Sequence, residues 1–178
     1  MKKEKQNFWL RLIILLAILA LTVYLLYNRS AIQDLGVYGY PGIFLVSVLS
    51  NATIVIPVPG ILITSAMGAI FNPFLVALTA GAGSAVGELT GYMAGIGGQV
   101  VIGEKKWYKK IRKWMVSYGD LAIFLLSLIP NPLFDLAGMI AGSMKIPIWR
   151  FFIWCFLGKL LKFLLFAYTG SRLLLMFN

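Results

Sequence analysis

The chain has 178 residues, 60% of them hydrophobic, with a formal net charge of +10 and a mean hydropathy of +0.87. Soluble domains sit nearer about 45–50% apolar, so this composition excludes an ordinary soluble domain and calls for several membrane segments. Histidine is absent and cysteine occurs once, as Cys155, which removes the commonest general base, the usual zinc ligand and any intramolecular disulfide.

Lys2, Lys3 and Lys5 precede an apolar run, Phe8–Tyr27. It matches the ~20 residues a bilayer crossing needs, and no small-residue cleavage site follows it. Residues 1–35 therefore read as a cytoplasmic tail and an uncleaved transmembrane anchor, and residues 36–178 as one membrane domain. Segment 41–71 is apolar but broken at Pro57-Val58-Pro59-Gly60. Its arms, of about 16 and 12 residues, reach roughly 24 and 18 Å, short of the ~30 Å hydrocarbon core. Proline stops a helix, and irregular backbone at membrane depth survives only against protein or a wet cavity. Two half-depth arms joined at Pro57, Pro59 and Gly60 describe a re-entrant hairpin.

Segment 72–98 is a span in which Gly83, Gly87, Gly91 and Gly95 recur on one face. That small-residue stripe lets helices approach closely; it serves packing on a hairpin, with homodimerisation as the alternative. Segment 103–119 is an interfacial helix. Trp107, Ile111, Trp114, Met115 and Tyr118 share one face, and Lys105, Lys106, Lys109, Lys110, Arg112 and Lys113 cover much of the rest. Each such cation near anionic lipid contributes about 1 kcal/mol, so these six form an expected anionic-lipid surface. Segment 120–145 is a second hairpin with its tip at Pro130 and Pro132, and 146–170 is the last span.

Charge supports this path. With the N-terminus cytoplasmic, a first hairpin that enters and returns lets span 72–98 bring the basic stretch back to the cytoplasm, as the positive-inside rule asks. The expected location is the plasma (inner) membrane. The two units also resemble each other. Ile56-Pro57-Val58-Pro59 matches Ile129-Pro130-Asn131-Pro132, Met67-Gly68-Ala69 roughly matches Ile140-Ala141-Gly142, Pro73 matches Pro147, and Gly87-Glu88-Leu89 matches Gly158-Lys159-Leu160. The offset starts near 73 and falls to about 71, which needs an indel. The expected fold is thus an all-α membrane protein, an inverted repeat of two re-entrant hairpins each followed by a transmembrane helix. Such repeats place a substrate site near the midplane.

With these motifs in place, the chain resembles the DedA family, also called the SNARE-associated or VTT-domain family, from about Gly36 to Gly170. The resemblance is carried by Pro57-Val58-Pro59-Gly60 with the small-residue run to Gly68, by Gly83–Gly95, and by Ile129–Asp135 with Ala141-Gly142. It implies lipid scrambling, or flipping of polyprenyl-phosphate carriers. Carrier-flipping members often carry an Arg where this chain has Leu126-Ser127-Leu128, and acids where the first hairpin has uncharged polar residues, Ser50, Asn51, Thr53 and Thr64 among them. Both differences favour scrambling over proton-coupled phosphate capture.

Charges deep in a span are rare and costly. Glu88, Lys159 and Lys162 are such charges. Glu88 and Lys159 are candidates either for a structural pair or for a substrate site in which the two lysines take a phosphate headgroup. Lys162 also fits snorkelling to an interface. Asp135 suits the start of the second hairpin's returning helix or the same cavity. Ser50, Asn51, Thr53 and Asn131 are candidates to line the route. No nucleophile with its base, metal set or nucleotide loop is present in the sequence, so no catalytic residue, metal or cofactor is expected and the protein is not expected to be an enzyme. The expected partners are membrane lipids, anionic ones foremost, with no nucleic acid. The expected function is ATP-independent lipid scrambling or flipping. The alternatives are an ion-coupled carrier of a small anion, and a non-transporting membrane scaffold.

Overall fold

The computed structural model describes residues 20, 23–24, 27–28, 38–52, 60–97, 106–130 and 134–176, and these are helical with short connections. Nearly all of the anchor at 8–27 lies outside the described residues. So do Thr53, Pro57, Pro59, Lys105, Asn131 and Pro132, and the side chains of Lys106, Trp107 and Asp135.

Seven helices follow one another: α1 (Gly39–Ala52), α2 (Gly60–Ile70), α3 (Pro73–Ile96), α4 (Lys106–Tyr118), α5 (Asp120–Leu128), α6 (Phe134–Ser143) and α7 (Ile148–Met176). Two helices among the described residues are long and apolar enough to cross a bilayer, Pro73–Ile96 and Ile148–Leu173. The others are short. The 14 residues of α1 reach about 21 Å at 1.5 Å per residue.

Local chemistry sets several ends. Asn72 caps α3, its Oδ1 accepting from the N–H groups of Phe74 (3.0 Å) and Leu75 (3.3 Å), with Pro73 at the first helical position, where its missing N–H costs nothing. Helix α6 ends in a pair of nested turns. The Ile146 N–H donates to the Ala141 carbonyl at 3.1 Å and the Lys145 N–H to that of Gly142 at 2.9 Å. Lys145 takes the left-handed conformation, φ +54°, that glycine usually supplies there.

The long helices α3 and α7 run antiparallel. Val76, Ala77 and Ala80 cluster with Phe163 and Ala167, Gly81 faces Leu160, and Tyr92 stacks on Phe151 with ring centroids 5.0 Å apart. Each long helix packs against the first arm of its own unit, α1 on α3 and α5 on α7. Each also packs against the second arm of the other unit, α2 on α7 and α6 on α3. The paired arms α1 and α2, or α5 and α6, touch each other much less.

The chain returns to its start within each unit. Tyr40, at the beginning of α1, meets Phe71, just past α2, with ring centroids 5.5 Å apart. In the second unit Asp120 at the start of α5 bonds Arg150 on the first turn of α7, and Arg150 Nε and Nη2 both donate to Oδ2, at 3.0 and 2.9 Å. Phe124 then meets Trp154 and Ser127 approaches Gly158, so α5 climbs alongside α7. Helix α6 descends again: Phe134 lies at the level of Lys159, Gly138 near Tyr92 and Phe151, and the Tyr92 hydroxyl donates to the Ile146 carbonyl.

The crossings reveal the register of the repeat. A Cβ on Gly68 would overlap the Ala167 backbone, and one on Gly170 the Ser65 backbone. The same contact recurs where Gly142 meets Tyr92 and Gly95 meets Met139. Gly68 thus corresponds to Gly142, Ser65 to Met139 and Gly95 to Gly170, an offset of 74 or 75. The helix starts Pro73 and Pro147 lie 74 apart and the crossings further along the long helices 75 apart, so the offset changes by a single residue there. Gly158 then corresponds to Gly83, and Lys159 to Ser84. The expected match of Lys159 with Glu88 is one helical turn out, which leaves residues on nearly the same face and so preserves the look of the alignment.

Helix α4 differs from a helix lying wholly in the headgroup layer. Ile111 and Met115 are buried in the core with Tyr92, Ala122 and Phe151. Trp114 and Tyr118, on the same apolar ridge, are exposed. The ridge is therefore shared between protein and surroundings.

Candidate functional site

Four helices deliver a polar cluster to the middle of the bundle. Lys159 lies on α7 and Glu88 on α3, each with 3% of its side chain exposed, and Lys159 Nζ is 2.5 Å from Glu88 Oε1. The same ammonium donates to Asn51 Oδ1 of α1 at 2.6 Å. Asn51 Nδ2 in turn donates to Ser84 Oγ of α3 and to the Ser47 carbonyl, both at 2.9 Å. The ring of Phe134, first residue of α6, sits 5.1 Å from the ammonium, the reach of a cation–π contact. A lysine has three N–H donors and no acceptor. Here two go to oxygens and the remaining face of the ammonium meets an aromatic ring.

The local sequence explains this convergence. Gly87 brings α1 so close that a Cβ there would strike the Val48 carbonyl and Asn51. That approach carries the short Asn51 amide to a lysine on the far side of α3. On α7, Gly158 accepts α5 at Ser127, whose hydroxyl donates to its own helix at Phe124. Burial of an unpaired charge costs several kcal/mol; here the two ions pair with each other and Asn51 Oδ1 gives the ammonium a second oxygen.

Glu88, Lys159 and Asn51 come together. Ser50, one residue from Asn51, does not join them, and its hydroxyl donates to the Val46 carbonyl at 2.6 Å. Lys162 is half-buried, its ammonium 5.4 Å from the Phe163 ring, and it is not among the groups that hold Lys159. Gly60 opens α2, where its carbonyl accepts from Thr64 Oγ1. Pro130 is exposed just beyond α5. Lys109, Arg112 and Lys113 are exposed on α4, as is Lys110. Ser84 and Phe134 are members that sequence reading did not single out. Ser84 carried a usable signal, one turn before Glu88 within the glycine stripe; Phe134 carried none beyond its place after Pro132. Among the described residues no three His, Cys, Asp or Glu side chains gather as a metal site would require.

Short helices packed against two antiparallel helices long enough to cross a bilayer, with an ion pair buried between them, define an all-helical membrane protein. The chain matches the VTT domain over residues 58–172, and it belongs to that family. Relatives include the vacuole membrane protein KMS1 of Arabidopsis thaliana, 31% identical over 107 residues, which is 48% of this chain and 26% of that protein. Vacuole membrane protein KMS2 of the same plant is 38% identical over 58 residues, 30% of this chain and 14% of the relative. The vacuole membrane protein 1 homolog of Dictyostelium discoideum is 41% identical over 51 residues, 29% and 13% of the two chains. The matched region thus spans about a quarter or less of each relative. No solved structure matches.

Proposed function

We propose that the protein moves lipids between leaflets without ATP, as a scramblase or flippase of phospholipid or polyprenyl-phosphate type, and does no covalent chemistry. The observation that carries this reading is the exchange of arms between two oppositely directed units around the buried Lys159–Glu88 pair. Both arm pairs are too short to cross a ~30 Å core, and each returns toward its own starting side, as Tyr40 against Phe71 and Asp120 against Arg150 record. We take the arm pairs as re-entrant hairpins, which leave polar backbone at mid-depth between the units. A headgroup passing that point meets Lys159, Asn51 and Glu88, and trades contacts with them as the arms shift. The N-terminus and α4 face the cytoplasm of the plasma membrane in this reading, and the α4 cations gather anionic lipid near the entrance.

Reconstitution tests it. Liposomes holding the purified protein and a headgroup-labelled phospholipid should lose more than half of their fluorescence to an external quencher. Loss that stops at half, with correctly inserted protein, overturns the reading. The buried carboxylate beside an ammonium favours one second reading, an ion-coupled carrier of a small anion. Uptake that follows an imposed pH gradient, without lipid scrambling, would select it.

A further inference from the structure

The outer half of α7 carries a groove of about 640 Å³, within the roughly 300–1,000 Å³ of sites that hold small molecules. Leu161, Leu164, Leu165 and Tyr168 line it along one face of the helix, Leu128 at the end of α5 closes its inner end, and Arg172 stands at its outer end. Leu161 lies two residues beyond the buried Lys159. Eleven residues separate Leu161 from Arg172, or about 16 Å of helix, close to half of a ~30 Å hydrocarbon core. The groove is apolar for the depth of one leaflet and cationic where that leaflet meets its headgroups. The Thr169 hydroxyl also lines it but donates to the Leu165 carbonyl of its own helix, so Arg172 makes the polar end.

We propose that this groove seats one anionic phospholipid, an acyl chain along Leu165, Leu164 and Leu161 and its phosphate on Arg172. Charge selects this occupant. Both carboxylates described in the structure are engaged elsewhere, Glu88 by Lys159 and Asp120 by Arg150, and none of the described carboxylates reaches Arg172. The chain's own apolar run at 8–27 contains Arg11 and no acid. A second copy related by a twofold axis along the membrane normal would bring Arg172 to the level of Arg172. A lipid phosphate is the anion a bilayer supplies at that depth, and arginine holds phosphate through two parallel N–H bonds. The site is separate from the Lys159 cluster and stands whether or not that cluster transports anything.

Native mass spectrometry of the purified full chain, equilibrated in micelles with phosphatidylglycerol or zwitterionic phosphatidylcholine, reads the site directly. One phosphatidylglycerol should be held about tenfold more tightly than phosphatidylcholine, the low end of what a charge-assisted hydrogen bond supplies. Arg172→Gln should abolish that preference for the tight adduct, Arg172→Lys should keep part of it, and Leu165→Trp should weaken both lipids by filling the groove. Equal retention of the two lipids by the unaltered chain, or a tight adduct that survives Arg172→Gln, overturns the proposal. So does efficient disulfide formation, in a Cys155→Ala background, between Leu165→Cys and Leu15→Cys in one chain, or between Leu165→Cys in two chains, since either puts protein where the lipid is assigned. Scrambling measured on the same variants separates loss of this site from loss of transport.

Discussion

Lys159 is buried, with 3% of its side chain exposed, and its neighbours show how the ammonium is held. The ammonium leans on Glu88 and Asn51, and its remaining side meets the Phe134 ring. Breaking such a pair from one side leaves the other ion stranded, at a cost of about 3–5 kcal/mol, whereas replacing both ions with apolar groups is often neutral. Lys159→Met should therefore lower unfolding stability in mixed micelles by that amount, and adding Glu88→Leu should recover most of it. If the stable double variant scrambles lipid at the original rate, the pair is structural; if it folds and fails to scramble, the pair serves transport. Glu88 and Lys159 were legible in the sequence because a lone charge in an apolar run stands out. Asn51 was legible only as a polar group in a hairpin, and its bond to a residue 108 positions away follows from helix packing that no local pattern encodes. Ser84 and Phe134 are ordinary residues in their segments, and only the convergence of helices gives them a role.

The helices carry two further tests. Lys145 occupies a left-handed position at the end of α6, where a side chain costs roughly 1–2 kcal/mol relative to glycine. Lys145→Gly should raise stability by about 1 kcal/mol, visible as a higher Tm. At the α2–α7 crossing, Gly68 touches the Ala167 backbone, and backbone cannot step aside as a flexible side chain can. Gly68→Val should cost at least about 1–3 kcal/mol, read by the same unfolding measurement. The short arms were foreseeable from the spacing of prolines and from arithmetic on helical rise. The register of the repeat was not, because a slip of four residues along α7 keeps glycine facing its neighbour and a charge on the same face. Only the paired crossings at Gly68 and Gly142 remove that ambiguity. Helix α4 was legible as amphipathic, but its sequence could not say that Ile111 and Met115 face the core and not lipid.

For the whole molecule, the antiparallel course of α3 and α7 places α4 and the end of α7 on opposite membrane faces. In a Cys155→Ala background, Lys109→Cys should react with an impermeant thiol reagent from one side of sealed vesicles and Arg172→Cys only from the other. Labelling of both from the same side would contradict the antiparallel spans. The all-helical membrane character was accessible from hydropathy because a bilayer restricts backbone to few solutions. How each arm chooses its long helix was not, since apolar stretches of similar length offer no code for partner choice.

The allegiance of α2 to α7 has a consequence for biogenesis. Ribosomes deliver Gly68 first and Ala167 about a hundred residues later, and such distant contacts form only after the intervening loop is closed. Until then α2 waits in the bilayer with its small-residue face unmatched. The last of the seven described helices is thus the one that locks the second arm of the first unit in place.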